Sequence, residues 1–163
     1  MAPADDSAHP YRIETTRRAV ILTLAGGGVM PGNVFIPPST YRPFEFEDIA
    51  ELFNAAEPFF PLELPDGGVT LVAKDRVAEV MLSGGDDVAY RPASDLPMPT
   101  ARVEVFLAGD HMRTGSLQLE VRPARERALD FLNHLTSRFL TLHTETAAQL
   151  INRVFVDRVL TLN

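Results

Sequence analysis

Four histidines, His9, His111, His134 and His143, supply all the imidazoles of this chain, and imidazole is the side chain best suited to acid–base work near neutral pH. None of them stands in a His-Glu-x-x-His pattern or at another close metal-ligating spacing, so no metal site is expected. His134 follows the Asn that ends a predicted helix, and His143 falls late in a predicted strand. Lys74 and Arg153 each put a cation between two predicted strands, where it serves either a turn or an anion. These four residues, Lys74, His134, His143 and Arg153, form the candidate ligand-binding set.

Other residue types point away from catalysis. Asp48 and Glu51 can share one helix face, but acid–base chemistry needs burial to separate their pKa values. The adjoining Glu45 and Glu47 indicate a solvated acidic face instead. Asp86-Asp87 is a poor cage for a cation. Gly26-Gly27-Gly28 and Gly32 lack the Gly-Lys-Ser/Thr ending of a phosphate loop, and a strand rather than a helix follows, so a hairpin turn is expected. No Gly-x-Ser-x-Gly elbow occurs, and the absence of cysteine removes thiol chemistry and disulfides. No catalytic residue and no cofactor are assigned. The expected function is a non-enzymatic binding or assembly module. The alternative is a small-molecule or nucleotide-binding protein, or a modest enzyme, with a pocket between two units.

Those units emerge from the stretch around the first turn. Val20–Gly32 returns as Val103–Gly115, with Leu24-Ala25-Gly26 answered by Leu107-Ala108-Gly109 at a constant separation of 83 residues. Asn54 and Asn133 are 79 apart, Phe59 and Phe139 are 80 apart, and Leu71, Val77 and Val80 meet Leu150, Val156 and Val159 at 79. The Gly and Asn matches weigh most, because apolar packing alone does not demand them.

Each unit reads β-β-α-β-β-β. In the first, Ala19–Leu24 and Gly32–Ile36 are strands by their alternation and by the Pro37-Pro38 stop. Phe46, Ile49, Ala50, Phe53 and Ala56 fall at helical spacing, with Asn54 expected as a left-handed cap. Phe59–Leu64, Val69–Ala73 and Val77–Leu82 are the remaining strands, the first two separated by the turn residues Pro65-Asp66-Gly67-Gly68. In the second, Val103–Leu107 and Leu117–Val121 alternate as strands around a turn at Gly109-Asp110-His111. Pro123 suits the first turn of a helix, and Ala128, Leu129, Phe131, Leu132 and Leu135 form its stripe. The organisation is a flexible N-terminal arm at 1–15, a first repeat unit at 16–83, a linker at 84–100 and a second unit at 101–163. Units this small sit near the lower limit for an independent core. The fold class expected is therefore α+β, mostly β. A duplicated unit would be packed around a pseudo-twofold axis as sandwich or barrel-like sheets, giving one compact body.

Composition agrees with an ordinary globular chain: 163 residues, 45% hydrophobic, 23% charged and a net charge of −7. That sign argues against nucleic-acid binding, which needs clustered cations. No run approaches a membrane span, so no membrane insertion is expected. The acidic start without an apolar stretch predicts no signal peptide and a cytoplasmic location. Residues 18–83 hold four Lys/Arg against nine Asp/Glu, and residues 101–163 hold eight against seven. An acidic half beside a neutral one favours a homodimer or an unidentified protein partner. Arg122, Arg125 and Arg127 are expected to meet the Glu45–Glu51 helix of a neighbouring copy.

Gly32-Asn33-Val34-Phe35-Ile36-Pro37-Pro38, Glu51-Leu52-Phe53-Asn54, Phe59-Phe60-Pro61-Leu62 and Leu71-Val72-Ala73-Lys74 together resemble an uncharacterised bacterial domain family. Its unit looks like a Gly-led strand ending in Pro, a helix ending Leu-Asn, a Phe-Leu-Pro-Leu strand and a strand ending Asn-Lys. Gly115, Phe131-Leu132-Asn133, Phe139-Leu140-Thr141-Leu142 and Ile151-Asn152-Arg153 carry the likeness into the second unit. The resemblance implies the β-β-α-β-β-β fold in two copies and brings no catalytic residues and no ligand. Arg17-Arg18 before a hairpin suggests a cyclic-dinucleotide receptor of the PilZ kind, but the Asp/Asn-x-Ser-x-x-Gly signature of that family is missing.

Overall fold

The computed structural model describes residues 15–37, 46–82, 99–119 and 127–162, and within these the chain is mostly β with two short helices. Its elements in order are β1 (Thr16–Leu24), β2 (Val29–Ile36), α1 (Phe46–Asn54), β3 (Phe59–Glu63), β4 (Val69–Ala73) and β5 (Val77–Leu82). There follow β6 (Thr100–Leu107), β7 (His111–Gln118), α2 (Ala128–Asn133), β8 (Phe139–His143), β9 (Ala148–Asn152) and β10 (Val156–Thr161). The ten strands make one sheet in the order β10-β6-β7-β8-β9-β5-β1-β2-β3-β4. In the first half the neighbours run β5-β1-β2-β3-β4, and in the second β10-β6-β7-β8-β9.

Local chemistry accounts for the elements. In β1, Val20 and Leu22 are buried while Ile21 between them is partly exposed, the period-two pattern of a strand with one face on a core. Phe46, Ile49 and Phe53 of α1 are all buried, three positions on one helical face. The β3–β4 turn is fixed by Asp66, whose Oδ1 accepts from the Gly68 N–H at 2.8 Å, an Asx turn.

Gly32 and Gly115 mark the sharpest feature of each half. Only Asn33↔Glu63 pairs β2 with β3, and only Ser116↔His143 pairs β7 with β8. At that crossing a Cβ on Gly32 would lie 2.6 Å from the Glu63 carbonyl oxygen and 2.8 Å from Leu62 Cγ. On Gly115 it would lie 2.5 Å from the His143 carbonyl oxygen and 2.8 Å from Leu142 Cγ. No other residue fits such an approach without moving backbone.

Several expectations are revised in detail. Asn54 is the last residue of α1, and Asp110 is the only non-glycine with positive φ among the described residues, so Asn54 is no left-handed cap. Its side chain instead reaches the second half, as described below. His111 opens β7 rather than sitting in the turn, because pairing with β6 begins at Leu107↔His111. Thr100, placed in the linker, starts β6 for the same reason, paired with Gln118. Lys74–Arg76 and Arg153–Phe155 are single 3-10 turns. The N-terminal arm up to Glu14, Ser83, the linker over 84–98, Pro123 and the Arg122 and Arg125 part of the basic group lie outside the described residues.

The halves are joined by strand pairing, β5 against β9, through Glu79↔Ile151, Val80↔Leu150 and Met81↔Gln149. Two apolar clusters result. The first gathers buried side chains of β1–β5 and α1 and includes Phe139, Ala148 and Leu150 from the second half. The second holds Val103, Val105, Leu107, Leu117, Leu119, Leu140, Leu142 and Ile151, all from the second half.

Candidate binding cleft and the joint between the halves

The C-terminal end of α1 builds the joint. Phe53 is fully buried and meets Phe60 edge to face at 4.8 Å and Phe139 at 5.5 Å, a favoured geometry for aromatic pairs. Next to it, Asn54 Oδ1 accepts the Phe139 backbone N–H at 2.8 Å. Asn152, fully buried, donates from Nδ2 to the Val77 carbonyl at 3.0 Å. Glu79, 3% exposed, receives Arg113 through two hydrogen bonds of 2.8 and 3.2 Å, the fork geometry that makes Arg–carboxylate pairs strong. Arg138 meets Asp75 at 3.0 Å. All of these contacts except Phe53–Phe60 cross from one half to the other.

A cleft of about 330 Å³ opens beside this joint, walled by Phe46, Ala50 and Asn54 of α1 and by Phe131, His134 and His143 of the second half. His134 is exposed, and its Nδ1 lies 2.7 Å from the Asp130 carbonyl oxygen. A carbonyl only accepts, so Nδ1 carries the proton and Nε2 of the neutral ring is the acceptor. His143 sits on β8 opposite Ala148 and Ser116. A second concavity, about 420 Å³, is formed where the turns Leu24-Ala25-Gly26 and Leu107-Ala108-Gly109 face each other, with His111 and Arg113 on its wall.

The structure thus brings His134 and His143 to one cleft and leaves Lys74 and Arg153 outside its lining. Lys74 is 1% exposed, and its Nζ donates to the Leu52 and Ala55 carbonyls at 2.7 and 3.2 Å. These are carbonyls at the end of α1 that no further turn of helix can satisfy. Burial pushes the Lys74 amine below its usual range; the Glu57 charge opposes this and the Arg138 charge adds to it. Arg153 NH1 donates to the Leu135 carbonyl after α2. Both cations therefore tie a 3-10 turn to the chain leaving a helix.

Glu79, Arg113 and Asn152 were not nominated by sequence reasoning. Nothing in a β-strand pattern marks a Glu in an apolar strand as an ion-pair partner of a residue 34 positions away. Asn54 carried a signal, its repetition as Asn133. Among the described residues no three His, Cys, Asp or Glu side chains converge as metal ligands, and no helix is long and apolar enough to cross a membrane. No family model, curated protein or solved structure matches the chain.

Proposed function

We propose that this chain is a twice-built β-β-α-β-β-β unit acting as a non-enzymatic binding and assembly module, which recruits partners by adding strands to the ends of its sheet. The carrying observation is β4, the end strand on one side, where Val69 is 57% and Leu71 is 71% exposed. An end strand offers unpaired N–H and C=O groups, and apolar side chains upon it favour pairing with another chain. Duplication is supported by the shared neighbour order of the two sets of five strands. It is supported too by the equal Val20↔Gly32 and Val103↔Gly115 registers and by the two glycine crossings. The uncharacterised bacterial family that the sequence resembles fits this reading, and the lack of cysteine suits a reducing, cytoplasmic setting.

A photo-crosslinking residue placed at Leu71 in the cells that make the protein tests the proposal. Adducts are expected at position 71 and not at exposed Glu145. Equal yields at both positions, or none at either, overturn strand addition as the mode of binding.

A second reading follows from the 330 Å³ cleft and its two histidines, a size that accommodates a small molecule. Native mass spectrometry of the purified chain and of its Ala50→Trp variant separates the two. A bound small molecule lost on filling the cleft supports the ligand site, and an unliganded chain removes it.

A further inference from the structure

The two ends of the sheet, β4 and β10, are not alike. By order and register β4 stands in the first half where β9 stands in the second, since Phe59↔Ala73 through Glu63↔Val69 match Phe139↔Asn152 through His143↔Ala148. Likewise β10 stands where β5 does, against β6 as β5 is against β1. β5 and β9 are the very strands that pair to join the halves. One end of the sheet therefore matches one side of the internal joint, and the other end matches the other side.

Exposure follows the same correspondence. The second half contributes Phe139, Ala148 and Leu150 to the first core, at 2%, 4% and 0% exposed. Their counterparts Phe59, Val69 and Leu71 are 57%, 57% and 71% exposed. On the receiving side Phe53, Val77 and Val80 are fully buried, whereas their counterparts Leu132, Val156 and Val159 are only half-buried. Asn54 Oδ1 holds the Phe139 N–H, while its counterpart Asn133 is exposed. Among the described residues the second core is thus formed without a contribution from outside its own half, and the residues that would supply one are exposed at the far end of the same sheet.

We infer that β10 of one copy of this chain pairs antiparallel with β4 of the next, in the register that joins β5 to β9, so that copies assemble head to tail. Transposing Glu79↔Ile151, Val80↔Leu150 and Met81↔Gln149 gives Arg158↔Val72, Val159↔Leu71 and Leu160↔Thr70 between copies. Phe59 then packs on Leu132, and Asn133 accepts the Phe59 N–H. Arg158 is already stacked on Phe106 at 3.8 Å, so its charge need not be buried alone. Not every internal contact is repeated. Arg158 and Met30 stand where Glu79 and Arg113 form their ion pair, and Ala73 stands where Asn152 does. The contact between copies is accordingly weaker than the joint and depends on concentration. A heterologous contact of this kind makes a ring where its rotation closes and a filament where it does not.

This inference rests on the strand-addition reading and narrows its partner to a second copy. Sedimentation velocity of the purified chain over a wide concentration range is the first measurement. The weight-average mass should rise above that of one chain, and Leu71→Lys, at a position open to solvent, and Val159→Lys, at a half-buried one, should each hold it at one chain with unchanged circular dichroism. The native sequence has no cysteine, so mixed Leu71→Cys and Val159→Cys proteins give a register-specific readout. On mild oxidation the 71–159 product should exceed the 71–71 and 159–159 products severalfold. A chain that stays monomeric, an association indifferent to both lysine variants, or an excess of 71–71 product overturns the inference. Crosslinking at Leu71 to a different protein, with the pure chain monomeric, preserves strand addition and removes only the second copy as its occupant.

Discussion

Lys74 is the residue at which placement and chemistry are most tightly bound. A buried ammonium is costly, and the helix-end carbonyls of Leu52 and Ala55 offset that cost by receiving its protons. The amine is held below its usual value of 10.5, with burial the leading cause. Between the folded value and 10.5 the unfolded chain binds more protons than the folded one. The Lys74 contribution to stability therefore rises with pH through that window and falls as pH drops through the folded value. In Lys74→Met the carbonyls lose their donor, at a cost of about 1–3 kcal/mol, and the titration disappears. Denaturant melts of both proteins between about pH 7 and about pH 10 should show the wild type gaining on the variant as pH rises. A constant gap would mean that the amine does not titrate there. The type of residue at position 74 was legible as a repeated cation with Arg153, yet its target was not, because the carbonyls it serves are set by where α1 ends.

At the scale of elements, what the sequence makes legible is what local forces decide. β3, β4 and β5 lie where alternation, Pro65-Asp66-Gly67-Gly68 and the Lys74 break place them, since neighbouring residues alone set those turns. β7 begins at His111, ahead of the expected start at Leu117; Glu120 and Val121 lie outside the described residues. His111, Arg113 and Thr114 are polar and break the alternation. Only the ladder to β6, from Leu107↔His111 to Thr100↔Gln118, makes a strand of them. Gly32 and Gly115 were visible as matched glycines, but the reason is a contact with a strand about 30 residues on, which no local pattern encodes. The cleft divides in the same way. His134 and His143 were identifiable by type, whereas their meeting with Phe46, Ala50 and Asn54 follows from the β5–β9 joint, across which Glu79 meets Arg113 and Asn152 meets Val77.

For the molecule as a whole, that joint makes the first core depend on the second half. Leu150 is fully buried in the cluster that contains Val20, Leu22 and Phe53, so a residue of β9 completes the packing of β1 and α1. Removing its side chain beyond Cβ should cost about 2–5 kcal/mol, as for other large-to-small core changes. The loss should appear in both halves at once. Calorimetry of the wild type is expected to give one transition with equal calorimetric and van't Hoff enthalpies, and Leu150→Ala to shift that single transition downward. Amide exchange supplies the location: protection in β1 should fall together with protection in β9, although their residues lie more than a hundred positions apart in the chain. Two transitions, or loss of protection confined to the second half, would mean that each half holds its own core and that β5–β9 pairing is only a tether. The same experiment bears on assembly. If copies pair through β10 and β4, the transition of the wild type should move upward with protein concentration, and that of Leu71→Lys should not.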